Sequence, residues 1–262
     1  MTSQVVITRC PDTSVMEPSN FILRLSNLHK LREQGNVRFS LHIPEFTLLP
    51  GQFVAIVGDS GCGKSTLLDM LALVSKPTGC QHFHFAADRS AGPVIDIWDL
   101  WSSGEESALA TIRRRDLGYV LQTGGLMPFL TVEENIRLPL RIQGVKIERR
   151  EIEALAERID IKAILSKKSQ HISGGQRQRA AILRALVHKP RMILADEPTA
   201  AVDKKRARAI VQDFKGLASD RGTTIVMVTH DYDLVKDYAD VTYTFDLTEI
   251  SSVETHSVCR KY

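Results

Sequence analysis

Gly58 to Ser65 reads GDSGCGKS, directly after the apolar run Phe53-Val54-Ala55-Ile56-Val57 and directly before Thr66-Leu67-Leu68. Strand, glycine loop and helix start together predict a phosphate cradle. Gly58, Gly61 and Gly63 let the backbone turn its N–H groups inward, and the helix adds its positive N-terminal end. Lys64 brings a full charge toward the β- and γ-phosphates, and Ser65 a hydroxyl suited to a phosphate-bound Mg²⁺. Asp59, Ser60, Cys62 and Thr66 complete the loop positions expected to touch nucleotide. The pattern implies a nucleoside triphosphate site.

Two further clusters bear on what happens to that nucleotide. Met192-Ile193-Leu194-Ala195 reads as a buried parallel strand that ends in Asp196-Glu197. An Asp-Glu pair is often only a solvated loop. Here a buried strand precedes it and Pro198-Thr199 turns the chain after it, which favours Asp196 as a metal-holding carboxylate and Glu197 as a group that polarises water. Ser173-Gly174-Gly175-Gln176 stands before RQRAAILRALVH, where Ala180, Leu183 and Val187 recur at helical spacing. Serine and two glycines at a helix start make a second anion site, or, in the plainer reading, an ordinary capped helix.

From about Phe21 to Asp246 the combination resembles the ATP-binding-cassette (ABC) ATPases. In that family the signature segment, here Ser173 to Gln176, reaches across a dimer to the γ-phosphate on the partner's loop. The resemblance extends to Gln122, after Leu117-Gly118-Tyr119-Val120-Leu121, as the glutamine joining the metal site to a helical subdomain. It extends to Asp203 as the aspartate contacting the opposite protomer, and to His230, after the strand Thr224 to Thr229, as the histidine facing the γ-phosphate. It implies catalytic roles for Glu197, His230, Lys64 and Gln122, Mg²⁺ held by Ser65, Gln122 and Asp196, and ATP as the substrate. The stretch Ile112 to Gly144 and the sequence ADEPT from Ala195 are similar to the lipoprotein-release, macrolide-efflux and cell-division branch (MacB-, LolD- and FtsE-like proteins).

The resemblance implies an α/β fold: a P-loop NTPase (RecA-like) core with a mostly parallel sheet, an antiparallel β subdomain and an α-helical signature subdomain at about residues 123–180. One such domain spans 21–250, with a flexible leader over 1–20 and a C-terminal tail over 251–262. It also implies partners: a second copy of the chain in an ATP sandwich, and an integral membrane permease or an FtsX- or MacB-like subunit. No nucleic acid is expected, and the implied place is the cytoplasmic face of the inner membrane. Local patterns agree. Thr131-Val132-Glu133-Glu134 is a capping box opening a helix to about Ile142, and Ile152, Leu155 and Ile159 mark a second amphipathic helix. Arg206 to Ser219 reads as the helix of a right-handed crossover.

Several positions depart from the family. Where an aromatic usually stacks on adenine stand Arg32 and its neighbours Lys30 and Leu31, which predicts weak discrimination between bases. Ile172 replaces a leucine, a tolerated apolar exchange. Thr123-Gly124-Gly125 reads as a small, flexible loop, and residues 79–103 read as irregular. Cys62, beside Lys64 and a helix N-terminus, is expected to favour thiolate, so that alkylation blocks ATP and ATP protects the thiol. Cys80, His82 and His84 alternate on one strand face, but no fourth ligand is evident and a metal is not favoured.

The 262 residues, with 43% apolar content and a formal charge of +3, suffice for one substantial core and give no argument for nucleic acid. No apolar run approaches the roughly 18 residues of a membrane span. Four cysteines show neither zinc spacing nor a paired framework. A soluble cassette acting as a switch on nucleic acid or ribosomes is the competing reading. Its usual second cassette or long coiled coil is not found here. A non-catalytic scaffold is the other, against which every catalytic position is filled.

Overall fold

The centre of the molecule is a set of parallel strands whose apolar runs are buried on both faces, as helices above and below require. A computed structural model of the chain describes residues 21–86, 93–200, 204–220 and 222–262. Asp203 and the expected leader lie outside the described residues. Strand β3 (Phe53–Val57) pairs in parallel with β8 (Thr224–Thr229), β8 with β7 (Met192–Asp196), and β7 with β6 (Leu117–Val120). On its other side β3 pairs with β9 (Val241–Ser251). Side chains alternate across the sheet. Phe53 and Ala55 therefore join one core, and Val54 and Ile56 the other.

Beyond β9 the sheet becomes mostly antiparallel. Strands β1 (Leu23–Gln34), β2 (Val37–Leu48), β4 (His82–Ala86), β5 (Val94–Asp96) and β10 (Glu254–Lys261) complete the order β5-β4-β1-β2-β10-β9-β3-β8-β7-β6. This is the expected division into a parallel core and an antiparallel β region. The region read as irregular holds β4, β5 and a short helix α2 (Ile97–Ser102), capped by the Asp96 carboxylate. The C-terminal residues are not a tail. β10 lies inside the sheet, parallel to β2 and antiparallel to β9, because Ser257 and Cys259 alternate inward and are fully buried.

Helices α1 (Lys64–Leu71) and α3 (Glu106–Asp116) pack on one face with the antiparallel region. On the other face lie α4 (Val132–Gln143), α5 (Arg149–Arg158), α6 (Gly174–Leu186), α7 (Lys204–Ser219) and α8 (Tyr232–Val235). The capping box at Thr131 is present: its hydroxyl accepts from the Glu134 N–H, and the Glu134 carboxylate accepts from the Thr131 N–H. One close approach fixes α6 against the sheet. A Cβ on Gly118 of β6 would stand 2.4 Å from the Ala185 carbonyl oxygen, so only glycine lets helix and strand meet there.

Candidate nucleotide site

Every parallel strand of the core delivers its sequence-predicted residue at its carboxyl end, the edge at which open α/β sheets bind ligands. β3 gives the loop 58–63, β8 gives His230, β7 gives Asp196 and Glu197, and β6 gives Gln122. Since β8 lies between β3 and β7, His230 and the acidic pair stand immediately beside the phosphate loop. Val120 pairs with Ala195, so Gln122 follows on the far side of the acidic pair.

The loop enters α1 through Gly63, whose φ of 109° lies in the left-handed region, and no side chain caps the helix. The first-turn N–H groups are thus left for an anion. Lys64 is buried and donates from Nζ to the Gly58 and Asp59 carbonyls, each at 2.7 Å, which centres its ammonium inside the loop. Ser65 Oγ donates to Asp196 Oδ1 at 3.4 Å. These are two hard oxygen donors, one from the start of α1 and one from the end of β7, a set that suits Mg²⁺.

Burial holds the Asp196 carboxyl above the usual carboxylate range. The Ser65 hydrogen bond pulls the other way, and the charge of Glu197 adds to the rise. In the fold this group is thus favourable only while protonated. Its contribution is present below the ordinary value of 3.8 and is lost as pH climbs through the raised value. At neutral pH the carboxylate is a cost. Asp196→Asn is therefore expected to raise the melting temperature at pH 7 by a few degrees while hydrolysis is lost. Scanning calorimetry at pH 7 and near pH 4 checks this, because the gain should vanish at the lower pH.

Glu197 adopts φ 41°, left-handed for a residue with a Cβ, at a cost of about 1–2 kcal/mol. Its N–H donates to Val228 O at 3.1 Å, and its own carbonyl accepts from Ala200 at 3.2 Å. That turn aims the carboxylate at His230, whose Nδ1 is 3.3 Å from Glu197 Oε2. The histidine side chain is 60% exposed and the glutamate 20%, so the pair opens to solvent on the histidine side.

Other predicted residues are not drawn in. Among the described residues no hydrogen bond or ion pair joins Ser173–Gln176 to the loop 58–66. Ser173 caps α6: its Oγ accepts from the Gln176 N–H at 3.3 Å, and Gln176 Oε1 accepts from the Ser173 N–H at 3.1 Å. With α6 anchored at Ala185, the helix rise carries Ser173 about 18 Å along the axis from that contact. The same helix passes Gly124 at Arg177, whose Cγ is 3.3 Å from where a Cβ on that glycine would stand. Cys62 corrects an expectation. It is 2% exposed, and its sulfur packs so closely that a Cβ on Gly58 would come within 2.7 Å. Burial pushes its thiol up, outweighing the pull of Lys64. Burial thus works against the thiolate that its sequence neighbours favour.

Residues 123–125 also differ from a flexible loop. Arg184 on α6 donates to the Gly125 carbonyl at 2.7 Å and to the Gly124 carbonyl at 3.0 Å. Sequence reasoning missed this arginine, because it resembles any surface cation on an amphipathic helix and its targets lie 59 and 60 residues upstream. It makes the segment after Gln122 and the signature helix one body. Arg184→Met should lower the hydrolysis rate about tenfold with little change in KM, since the phosphate loop is untouched. Arg184→Lys, with one donor centre for two carbonyls, should restore part of it in steady-state assays.

Residues 41–200 match the model of the ABC transporter family. The chain belongs to that family. It is 41% identical over 220 residues to YvrO of Bacillus subtilis, an ABC transporter ATP-binding protein, covering 82% of this chain and 90% of the relative. To LolD of Hydrogenovibrio crunogenus, the ATP-binding protein of a lipoprotein-releasing system, it is 36% identical over 234 residues, covering 88% and 95%. Its fold matches the cassette MJ0796, solved as a dimer in a post-hydrolysis state with ADP and Pi. The TM-score is 0.69 with 32% identity, over 85% of this chain and 94% of the other. The chain is accordingly an ABC-type ATPase and the ATP-binding subunit of a transporter-type system, ahead of the nucleic-acid or ribosome switch.

Proposed function

We propose that two copies of this subunit close on ATP and reopen after hydrolysis, and so move a membrane-embedded partner. The observation that carries the reading is the split site. Phosphate loop, Asp196, Glu197 and His230 share one edge of the sheet, while Ser173 to Gly175 open α6 and, among the described residues, make no hydrogen bond or ion pair with that loop. A second copy supplies the missing helix end. Lys64 and the loop amides hold the phosphates, Glu197 takes a proton from the attacking water, and His230 orients Glu197 and the γ-phosphate. Ser65 and Asp196, with Gln122 beside them, fit Mg²⁺, which when bound neutralises charge developing on the phosphate oxygens. Asp203 is assigned to the opposite protomer's loop on family likeness alone.

The partner's place is suggested by a groove of about 400 Å³ between α3, β6, α4 and α6, lined by Tyr119, Leu138, Pro139, Ile142 and Arg184. Leu121, Met127, Phe129 and Ile142 are exposed, and Ile142 lines that groove. No helix among the described residues is long and apolar enough to cross a membrane. The likeness to LolD favours a permease with few spans and a large outer domain, of the FtsX or MacB kind, at the cytoplasmic face. The test is recovery of tagged Glu197→Gln protein with ATP from detergent-solubilised membranes. A stoichiometric membrane chain supports the reading. Recovery from the soluble fraction alone, or with nucleic acid, overturns it.

A further inference from the structure

The groove between α3, β6, α4 and α6 ends where α4 ends. Gly144, at φ 71°, closes that helix, and the Val145 N–H returns to the Leu140 carbonyl at 2.9 Å, so the chain turns sharply there. The turn leaves Ile142 59% and Val145 49% exposed, two aliphatic side chains three residues apart.

Cations stand around them. Ile142 lines the groove together with Arg114 of α3. Val145 lines a second recess, of about 160 Å³, with Lys146, His188 and Lys189. The two recesses adjoin, because His188 lines both and Gln143 Nε2 donates to the Arg114 carbonyl at 2.6 Å. Neighbouring arginines are committed within the fold, Arg113 to Glu106 at 2.6 Å and Arg137 to Glu133 at 2.9 Å. Arg114, Lys146 and Lys189 are exposed and, among the described residues, form no ion pair. Glu151 is the one carboxylate among the described residues that lines either recess.

An exposed aliphatic side chain alone needs no explanation, and a lone surface lysine is ordinary. Unpaired cations set around bare aliphatic tips are a more particular surface. Nucleic acid would take the cations and leave the apolar tips in water. An anionic bilayer takes both, since its headgroups attract the charges and its acyl boundary receives the tips. We infer that this rim rests on anionic lipid headgroups, with Ile142 and Val145 dipping into the interface, while the groove beside it seats the membrane chain. The inference rests on that reading of the groove for its orientation, and its test is free of any membrane protein.

The full chain is floated with vesicles of phosphatidylcholine alone and of equal parts phosphatidylcholine and phosphatidylglycerol. Binding is expected only to the anionic vesicles, and it should weaken as salt rises. Each cation near such a surface is worth about fivefold in partition, so Arg114→Gln, Lys146→Gln and Lys189→Gln combined should lose about a hundredfold. Val145→Ser, with every charge kept, should lose severalfold. Arg24→Gln, Arg38→Gln and Arg260→Gln combined make the same change of charge on the antiparallel strands and should bind as before. No binding to anionic vesicles at low salt overturns the lipid contact. Equal losses in the two triple variants overturn it as well, because net charge alone would then be acting, and unchanged binding of Val145→Ser overturns the apolar part. The groove reading fails separately, on the recovery of Glu197→Gln protein without a membrane chain.

Discussion

Glu197→Gln protein will associate into dimers at saturating ATP and hydrolyse it on the order of 10²- to 10⁴-fold more slowly than the unaltered chain. The amide keeps the shape of the carboxylate and its contact with His230 at 3.3 Å, but it cannot accept a proton from water. It also removes one of two adjacent carboxylates, which relieves Asp196. Nucleotide binding therefore survives while the step that reopens the dimer does not. The helix end contributed by the second copy is worth at most about 2 kcal/mol to an anion. Each tenfold in rate needs about 1.4 kcal/mol, so exclusion of water on closure must supply much of the acceleration. Light scattering and phosphate release on one sample decide the matter. A monomer at saturating ATP, or undiminished release, would end the closed-dimer mechanism.

Gly175→Asp should have an effect of similar size by the opposite route. A Cβ at Gly175 meets nothing within 4 Å, and an aspartate in the first turn of α6 complements the helix dipole. The fold should be as stable as before or slightly more so, and a single chain should still bind ATP. Yet the new carboxylate would face the partner's γ-phosphate with like charge, in a space closed to water, where such repulsion is hardly screened. ATP-dependent dimerisation should be abolished, and hydrolysis with it. Unfolding curves, ATP affinity and light scattering are read together. Normal dimers would mean that α6 does not meet phosphate, and lost stability would mean that its first turn is packed in the complex fold.

What the sequence disclosed follows from how local each signal is. The phosphate loop, the strand ending in Asp196 and the Thr131 and Ser173 caps are written within a dozen residues each, and the structure holds all of them. The burial of Cys62 was not legible. Its neighbours in sequence argue for a thiolate, while its neighbours in space, Phe245 and β10, shut out water. Residues 251–262 read as a tail because the inward residues of Glu254–Lys261, Ser257 and Cys259, are small and give a weak alternation. Its place between β2 and β9 depends on register set elsewhere. Arg184 failed to stand out for the same reason, since a helix pattern does not say which loop its cations will meet.

The hydrogen bond from Ser257 Oγ to the Cys62 carbonyl, 2.6 Å long and fully buried, joins residues 195 apart in sequence. A ribosome adds residues from the N-terminus at a finite rate. The glycine loop is thus made long before the strand that braces it from behind. Through most of synthesis the chain holds the nucleotide motif without its support. A ligand bound to the native loop would stabilise that whole arrangement, and with it the contact between residues 62 and 257.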